Sequence, residues 1–585
     1  NKLLNFIQNK TCSRFNIDEN LNIYDKTHNV FMYENLEEEL NFFYQSILEK
    51  TPRYPFVCIY GIGNALLIKN LAKHYKHLFV FESEIELFIL ALSTIDLSEE
   101  LKVYKVVLFD CVAKDLEIQI AMIFDQQSIL EYLSLYEMFI SSHYYLKYYE
   151  TSILSLNELC IKSASVAIRN ADITCFLPLL THGQFLQNIP SMLESIPFQR
   201  ILSQRKNKFD NAIVVSAGPS LAKQLPLLKA CQDKAVIFCA DGALSMLEKE
   251  GIVPDYVTNL DFTDLAMKFF QNKENLKQSI IALECATHPN VAHSLKAENC
   301  MIVLRNKALY QRFNFNDFGY IDTGTHVSHF SYTLALALGF KNIIMIGQDL
   351  AFDEEGNSHS KGFDFGEKFS GEENIDKLKI PAYAGKGEVL THTTWNDYRI
   401  KLEYLFACND QKAKFYNATE GGARINFTEE LSFKECCEKL LTKEKPKFEL
   451  PKSLTKNRSD KLLVKFKEKI QKDQENAKRF LDDALALKQI LENILSKDFI
   501  LPLEFLEKVY QNIENFNHSL DEDEFIQDEV LRGAFAYRGK LISDVLKLHI
   551  KDETHFITAY IKAYHEWLLY FVEKLEQKYK SLSKV

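Results

Sequence analysis

The stretch that decides the fold is AIVVSAGPSLAKQLPLLKACQDKAVIFCADGALSMLEKEG, residues 212–251. Its apolar run 213–215 meets the turn SAGPS (216–220), and a helical pattern follows the turn. This order is typical of a strand that delivers a phosphate-sized anion to the N-terminus of a helix. The sequence therefore predicts a candidate anion site at residues 216–220.

Two further predicted strands end in small or acidic residues. The strand 236–239 is followed by Asp241 and Gly242, and the strand 256–258 by Asn259 and Asp261. Because ligands of parallel α/β sheets bind outside the carboxyl ends of the strands, we expect these residues to share one crevice.

The block from about 205 to 440 continues the alternation of strands and helices. Apolar runs at 280–283, 301–304 and 343–346 predict strands, and a Thr323-Gly324-Thr325 turn precedes a predicted helix at 326–338. Such alternation with short loops favours a doubly wound α/β domain. After Gln348 and Asp349 a glycine-rich, polar stretch extends to about residue 387, which suggests a flap over the site or partial disorder.

The N-terminal region resembles the first half of a Rossmann unit. The strand FVCIY (56–60) meets the turn GIGN (61–64), and a second strand at 78–81 ends at Glu82. The third glycine of the motif is missing, so both a nucleotide or S-adenosylmethionine site and an ordinary strand-turn-helix corner stay open. Residues 116–199 read as a helical connector with tyrosines in its core.

The C-terminal region reads as a helical bundle. Pro446 and Pro451 interrupt a lysine-rich run, and helical patterns follow at 460–495, 502–516, 523–548 and 555–578. We therefore predict three domains: a Rossmann-like domain with its connector at 1–200, a doubly wound α/β domain at 201–442, and an all-α domain at 443–585.

Composition narrows the class of protein. The chain has 585 residues, 47% of them apolar, and a net charge of -11, which argues against broad binding to nucleic acid or to anionic membranes. Its 12 cysteines show no paired CxxC spacing, so neither a zinc site nor a disulfide framework is indicated. A reducing cytoplasm is the simplest location, and no apolar run is long enough to predict a membrane span.

Six motifs of the central block resemble one known family. They are VVSAGPSL (214–221), CADGAL (239–244), TNLD (258–261), TGTHVSH (323–329), ALGFKNIIMIGQDLAF (337–352) and NATEGGARI (417–425). The family is that of the motility accessory factor (Maf) proteins, flagellin glycosyltransferases whose central domain is similar to bacterial sialyltransferases. The three-part layout of the chain fits this family as well.

The resemblance implies an activity needed for flagellum assembly and motility. A nonulosonic acid, pseudaminic or legionaminic acid, would pass from its CMP-activated form to serine or threonine hydroxyls of flagellin. The donor is then a CMP-sugar and the protein partner is flagellin. No metal or other cofactor is required by this chemistry, although a divalent metal stays an open alternative.

The resemblance also suggests roles for individual residues. His359 is the first candidate for the catalytic base, because histidine titrates near neutrality and the sialyltransferases carry a histidine in the corresponding stretch; Asp349 is the second. His288, His326 and His329 are lesser candidates that pack or cap, and an exposed loop histidine is the alternative interpretation of His359. The predicted nucleotide-sugar-binding residues are Ser216, Gly218, Pro219, Ser220, Asp241, Gly242, Asn259, Asp261, Thr323, Gly324, Thr325 and Gln348.

Two rival functions fit parts of the same sequence. The acids around Asp241 and Asp261 resemble thiamine and pterin diphosphokinases, in which aspartates hold magnesium between ATP phosphates. Those enzymes have an acid where this chain has Asn259. Asp261 with Asp264 compensates in part, so metal binding stays open. The other rival is a non-catalytic flagellin-binding chaperone that grips its partner with the helical C-terminal domain.

Overall fold

The structure is a computed structural model that describes residues 13–271, 275–369, 377–497 and 501–584. The chain forms two compact units, residues 1–178 with 477–577 and residues 179–476 with 578–585. Where the sequence suggests three consecutive domains, the helices of residues 477–577 thus group with the N-terminal residues. Within that unit, the buried guanidinium of Arg538 lies 2.9 Å from the carboxylate of Glu131.

The N-terminal unit contains the predicted Rossmann-like half. Strands β1 (Phe15–Ile17), β2 (Ile23–Asp25) and β3 (Val30–Phe31) form a small antiparallel sheet. Strands β4 (Phe56–Tyr60), β5 (His77–Glu82), β6 (Val106–Asp110) and β7 (Met138–Ile140) form a parallel sheet in the order β6-β5-β4-β7. The strand order changes direction between β4 and β7, which makes this a switch point. Strand β7 lies in the region that the sequence predicted to be a helical connector.

The helix Leu503–Asp521 of this unit buries one apolar face. In the helix Leu503–Asp521 the buried apolar positions recur every three or four residues, at Leu506, Val509, Ile513, Phe516 and Leu520. Three other helices, Phe176–Glu194, Lys456–Leu495 and Glu553–Leu582, contain the boundaries between the units. The remaining helices of the unit are Leu36–Lys50, Leu66–Leu71, Ile85–Thr94, Ser98–Lys102, Leu116–Phe124, Gln127–Leu130, His143–Tyr148, Glu150–Asn170 and Arg532–Leu546.

The second unit is built on a nine-stranded parallel sheet. In chain order its strands are β8 (Asn211–Val215), β9 (Val236–Ala240), β10 (Tyr256–Asn259), β11 (Ile280–Glu284), β12 (Cys300–Arg305), β13 (Tyr320–Ile321) and β14 (Asn342–Ile346). A hairpin of β15 (Lys377–Pro381) and β16 (Glu388–His392) follows, and then the sheet strands β17 (Lys414–Asn417) and β18 (Glu429–Glu430). The spatial order is β13-β12-β11-β10-β9-β8-β14-β17-β18. The chain therefore changes direction between β8 and β14.

This sheet confirms the α/β fold class that the alternation predicted. Its central strands are buried along their whole length, as expected for a parallel sheet that is covered on both faces. The helix Val327–Ala337 packs on β8, β9 and β10. The other helices are Phe198–Arg205, Leu221–Cys231, Leu244–Lys249, Met267–Phe270, Pro289–Ser294, Ala308–Gln311, Thr393–Ala407 and Phe433–Leu440.

Within the described ranges, no helix combines the length and the apolar character that crossing a bilayer requires.

Candidate functional site

A cavity of about 230 Å³ lies at the carboxyl edge of the nine-stranded sheet, where the strand order changes. The turns after β8, β9 and β14 line it, together with the N-terminus of the helix Val327–Ala337 and the loop that carries His359. We call it the switch-point cavity. The structure brings these predicted site residues together in its lining: Ser216, Gly218, Asp241, Gly242, Gln348, Asp349 and His359.

Other predicted residues lie outside this lining, and some lining residues were not predicted. The predicted residues that do not line the cavity are Pro219, Ser220, Asn259, Asp261, Thr323, Gly324 and Thr325. The unpredicted part is mainly an aromatic wall of Phe269, Phe363, Trp395 and Tyr398. Trp395 and Tyr398 lie in the first two turns of the helix Thr393–Ala407, three positions apart. That spacing of aromatic residues is the signal by which the sequence could have revealed them.

The SAGPS turn is hydrogen-bonded to the end of β14 and to the turn that follows it. The Ser216 amide donates to the carbonyl of Ile346 at 3.0 Å, and the Gly218 amide donates to the carbonyl of Gly347 at 2.8 Å. A Cβ atom at Gly218 would lie 2.1 Å from a carboxylate oxygen of Asp349. Glycine is required at this position because the two turns approach so closely.

The carboxylate of Asp349 occupies the anion position at the N-terminus of the helix Leu221–Cys231. It accepts a hydrogen bond from the Ser220 hydroxyl at 2.7 Å and from the Ser220 amide at 3.3 Å. Burial raises the pKa of Asp349 to about 6, against the opposing effect of these bonds. From the sequence, Ser220 was predicted to bind the nucleotide-sugar as part of the candidate anion site at residues 216–220. In the structure it serves Asp349 instead, because a residue 129 positions away reaches the same donors.

Asp241 is a buried carboxyl group that directly follows β9. Its oxygens accept hydrogen bonds from the amide of Gly242 at 2.7 Å and from the side-chain amide of Asn259 at 2.5 Å. Burial is the main reason why the pKa of Asp241 is raised to about 7, and the charge of Asp261 adds to the shift. This carboxyl group therefore titrates near neutral pH.

His359 forms part of the cavity wall. Its ring stacks on Phe363 with centroids 4.0 Å apart, and Nδ1 lies 2.9 Å from the hydroxyl of Ser358. The neighbouring Ser360 anchors the loop, since its amide donates to the carbonyl of Ala217 at 2.9 Å. Burial lowers the pKa of His359 to about 4. The histidine is thus held in place, while residues 370–376 of the same predicted flap lie outside the described residues.

The TGTHVSH segment carries an unusual set of buried polar atoms. Gly324 has a φ of +67°, and the ring of His329 lies against it, where a Cβ would be 2.3 Å away. Native proteins pair nearly all buried polar atoms, so a group of unpaired ones points to a ligand. The buried side-chain atoms without a hydrogen-bond partner in the described part of the chain include three of this segment, Thr323 Oγ1, His326 Nε2 and His329 Nδ1, and Asn259 Oδ1 at the end of β10.

Two histidines act as helix caps, as the sequence interpretation allowed. The Nδ1 atom of His288 accepts from the amide of Asn290 at the start of the helix Pro289–Ser294. The Nδ1 atom of His326 accepts from the amide of His329 at the start of the helix Val327–Ala337.

The acids that could hold a metal are dispersed. Asp261 accepts from the amide of Thr263 at 2.8 Å, and Asp264 accepts from the side chain of Asn290 at 3.0 Å. No group of three or more metal-ligating side chains forms among the residues that the structure describes. That the chemistry requires no metal stays a prediction.

A larger cavity, of about 910 Å³, lies in the N-terminal unit. Its buried guanidinium, Arg538, forms an ion pair with the carboxylate of Glu131. It also donates a hydrogen bond to the side-chain oxygen of Asn517. Among the described residues, none of its lining atoms is both buried and unpartnered. The switch-point cavity is therefore the stronger candidate for a functional site.

The glycine turn after β4 is closed by tyrosines. A Cβ at Gly61 would lie 2.2 Å from the ring of Tyr145, and one at Gly63 would lie 2.2 Å from the hydroxyl of Tyr33. The Tyr145 hydroxyl accepts from the amide of Gly63 at 3.1 Å. It donates to the carboxylate of Glu82 at 2.5 Å.

The other donors of that turn are also used internally. The amide of Ile62 donates to Glu82 at 3.0 Å, and the amide of Asn64 donates to the Tyr33 hydroxyl at 3.3 Å. Burial raises the pKa of Glu82 to about 7. These contacts favour the interpretation of residues 61–64 as a packed corner.

Comparisons with known proteins agree with this fold. Residues 183–355 match the family model described as "6-hydroxymethylpterin diphosphokinase MptE-like". No protein of curated function matches the chain in sequence. The solved structure of MAf glycosyltransferase from Magnetospirillum magneticum AMB-1 is similar in fold, with a TM-score of 0.54 and 15% identity. The alignment covers 100% of this chain and 97% of that one, so the resemblance to the Maf proteins is confirmed as a resemblance of fold.

Proposed function

We propose that this chain is a glycosyltransferase that moves a nonulosonic acid, pseudaminic or legionaminic acid, from its CMP-activated form to serine or threonine hydroxyls of flagellin. The similarity in fold over the whole chain supports transfer of a sugar, because the neighbour is described as a MAf glycosyltransferase. The choice of donor and acceptor rests on the six motifs that resemble the Maf family.

One observation carries the proposal more than any other. The four buried, unpartnered polar atoms of Asn259 and the TGTHVSH segment belong to two of the six motifs and lie at the carboxyl edge of the sheet. Of these residues His326 lines the switch-point cavity, so its Nε2 is available to a ligand there, whereas Asn259, Thr323 and His329 lie outside the lining. The aromatic wall of Phe363, Trp395 and Tyr398 adds flat surface for a base or a sugar ring.

The transfer breaks the bond between the anomeric carbon and the CMP phosphate oxygen, and forms a bond from that carbon to the acceptor oxygen. The phosphate leaves with the electron pair, and the acceptor hydroxyl gives up its proton to a base. Rate enhancement therefore needs hydrogen-bond donors near the phosphate and a proton acceptor near the hydroxyl.

We assign the base to His359 first. Its pKa near 4 leaves the ring unprotonated at neutral pH, and it also makes the ring a weaker base than an ordinary histidine. Asp241 is the competing group, since its pKa of about 7 is closer to the working pH. Asp349, the second base candidate from the sequence, has its oxygens engaged by Ser220, and we assign it a positioning role.

The proposal is tested by incubating the protein with flagellin and a CMP-activated nonulosonic acid, followed by intact-mass analysis of the flagellin. We expect mass increments of whole sugar residues with the wild-type chain and their loss with Asp241→Asn and His359→Gln. Asp210→Asn is the matched control, because Asp210 precedes β8 at the opposite edge of the sheet and pairs with Lys341 on the surface. Unmodified flagellin in the presence of intact donor would contradict the proposal.

A pterin diphosphokinase is the second candidate, and the family model over residues 183–355 favours it. The acids Asp241 and Asp261 would then bind magnesium, although an amide stands at Asn259 where an acid is expected. The test is incubation with ATP, magnesium and 6-hydroxymethylpterin, with AMP measured by chromatography. AMP formation that depends on Asp241 would replace the glycosyltransferase proposal.

A further inference from the structure

We propose that His326 is a further ligand-binding residue of the switch-point cavity, whose Nε2–H group donates a hydrogen bond to a phosphate oxygen of the bound nucleotide. This inference rests on the proposed function and gives His326 a role as donor instead of base. His326 lines the cavity together with Val327 and Ser328, the first residues of the helix Val327–Ala337.

The hydrogen bonds of the ring fix where its proton lies. Nδ1 accepts from the amide of His329 at 3.3 Å and lies 2.9 Å from the hydroxyl of Ser328. The hydroxyl can donate or accept, but an amide can act only as a donor. Nδ1 therefore carries no proton in the neutral ring, and Nε2 carries it. Nε2 is buried and has no hydrogen-bond partner among the residues that the structure describes.

The surroundings of the His326 ring fix its orientation and keep it neutral. It stacks on Tyr398 with centroids 4.6 Å apart and meets the ring of His329 edge-on at 5.6 Å. Burial, with smaller effects from His329 and Lys401, keeps the pKa of His326 well below its usual range. The ring therefore stays neutral at physiological pH, and Nε2–H is a fixed donor without a positive charge.

A neutral donor matters here because of what else surrounds the ligand. None of the described residues that line the cavity is a lysine or an arginine. An anionic phosphate must therefore be bound by hydroxyls, amides and ring N–H groups. The first amides of an α-helix have no partner inside the helix and favour anions, and those of Val327 and Ser328 lie beside His326.

The test uses the full chain, CMP as the probe, and two substitutions that separate the donor from the helix cap. In His326→Asn the side-chain oxygen replaces Nδ1 and keeps the cap, but nothing replaces Nε2. We expect its Kd for CMP to rise about tenfold to a hundredfold, the effect of removing one hydrogen bond to a charged group. The melting temperature should stay close to that of the wild type. In His326→Gln the longer amide reaches the Nε2 position, and we expect part of the affinity to return.

His288→Asn is the matched control, since His288 caps another helix in the same way and does not line the cavity. Its Kd for CMP should equal that of the wild type. Wild-type affinity in His326→Asn would overturn the inference and leave His326 as a cap only. If the wild type binds no CMP, ATP with magnesium is titrated instead. ATP binding that His326→Asn weakens would keep the inference and discard the glycosyltransferase, whereas binding of neither nucleotide would overturn both.

Discussion

Two sheets of this chain change their strand order beside a glycine-containing turn, and the two places differ in the polar side chains that the neighbouring cavity offers to a ligand. After β4, the ring of Tyr145 covers Gly61, and its hydroxyl takes the amide of Gly63. After β8, the carboxylate of Asp349 covers Gly218 in the same way. In both places the donors of the turn are used by the protein itself.

The difference lies beside the turns. Next to the turn after β8 there is a cavity, and the TGTHVSH segment at the same edge keeps unpartnered buried polar atoms on Thr323, His326 and His329. Near the turn after β4, Tyr33 and Tyr144 line a cavity of about 1130 Å³, but within the described residues none of its lining side chains carries a buried, unpartnered atom. The hydroxyls of Ser141 and Ser142 after β7 are unpartnered and lie outside that lining. Glycines in such turns therefore indicate close packing. A ligand site is indicated instead by a cavity whose lining includes an unpartnered polar atom, such as His326 Nε2 here.

The same substitution in the two turns gives the sharpest contrast. In Gly218→Ala the new Cβ would lie 2.1 Å from the Asp349 carboxylate and 2.5 Å from the carbonyl of Gly347, so the turn must move. We expect the affinity for CMP, measured by calorimetry, to fall by about a hundredfold, since a misplacement of about 1 Å costs that much in a site. CMP binding as tight as in the wild type would show that this turn does not shape the site.

The matching change Gly61→Ala should act on stability alone. The new Cβ would lie 2.2 Å from the ring of Tyr145, at a backbone φ of +93°. We expect the free energy of unfolding of the N-terminal unit to fall by about 2–4 kcal/mol, measured with denaturant. The Kd for CMP should not change; a weakened CMP affinity would erase the contrast between the two turns.

Because Asp241 lines the switch-point cavity, we expect nucleotide affinity to depend on pH. The pKa of Asp241 is raised to about 7, so this carboxyl group gains a proton and loses its negative charge as the pH falls through 7. We expect the affinity for the methyl ester of CMP, whose phosphate keeps one charge, to increase by up to about tenfold between pH 8 and pH 6. Asp241→Asn should flatten this profile. A wild-type affinity that is constant over this range would contradict the prediction that Asp241 is a nucleotide-sugar-binding residue.

The smallest effect is expected at the N-terminal turn. Because Tyr33, Tyr145 and Glu82 use its donors, calorimetry with NAD or S-adenosylmethionine should give no measurable heat of binding. Binding of either molecule would mean that the tyrosines move aside and that both switch points are sites.

Much of the fold could be predicted from the sequence because buried parallel strands are apolar runs. The strand 56–60 was predicted with the bounds that β4 has, and the runs at 213–215 and 343–346 lie inside β8 and β14. The three-residue strand β7 was missed, since the run MFI lies among aromatic residues that also suit a helix.

The site could be predicted only in part, because its decisive contacts join distant residues. Local spacing placed Ser216, Asp241 and Gln348 at strand ends, and these residues do line the cavity. It could not show that Asp349 reaches Ser220 across 129 positions. Nor could it show the low pKa of His359, which depends on burial against a ring that the loop brings to it.

The most direct measurement is a crystal structure of the chain with CMP bound. We expect the phosphate to lie within hydrogen-bonding distance of His326 Nε2 in the switch-point cavity, and Tyr145 still to cover the turn after β4. CMP bound in the N-terminal unit, or a switch-point cavity without CMP at saturating concentration, would contradict it.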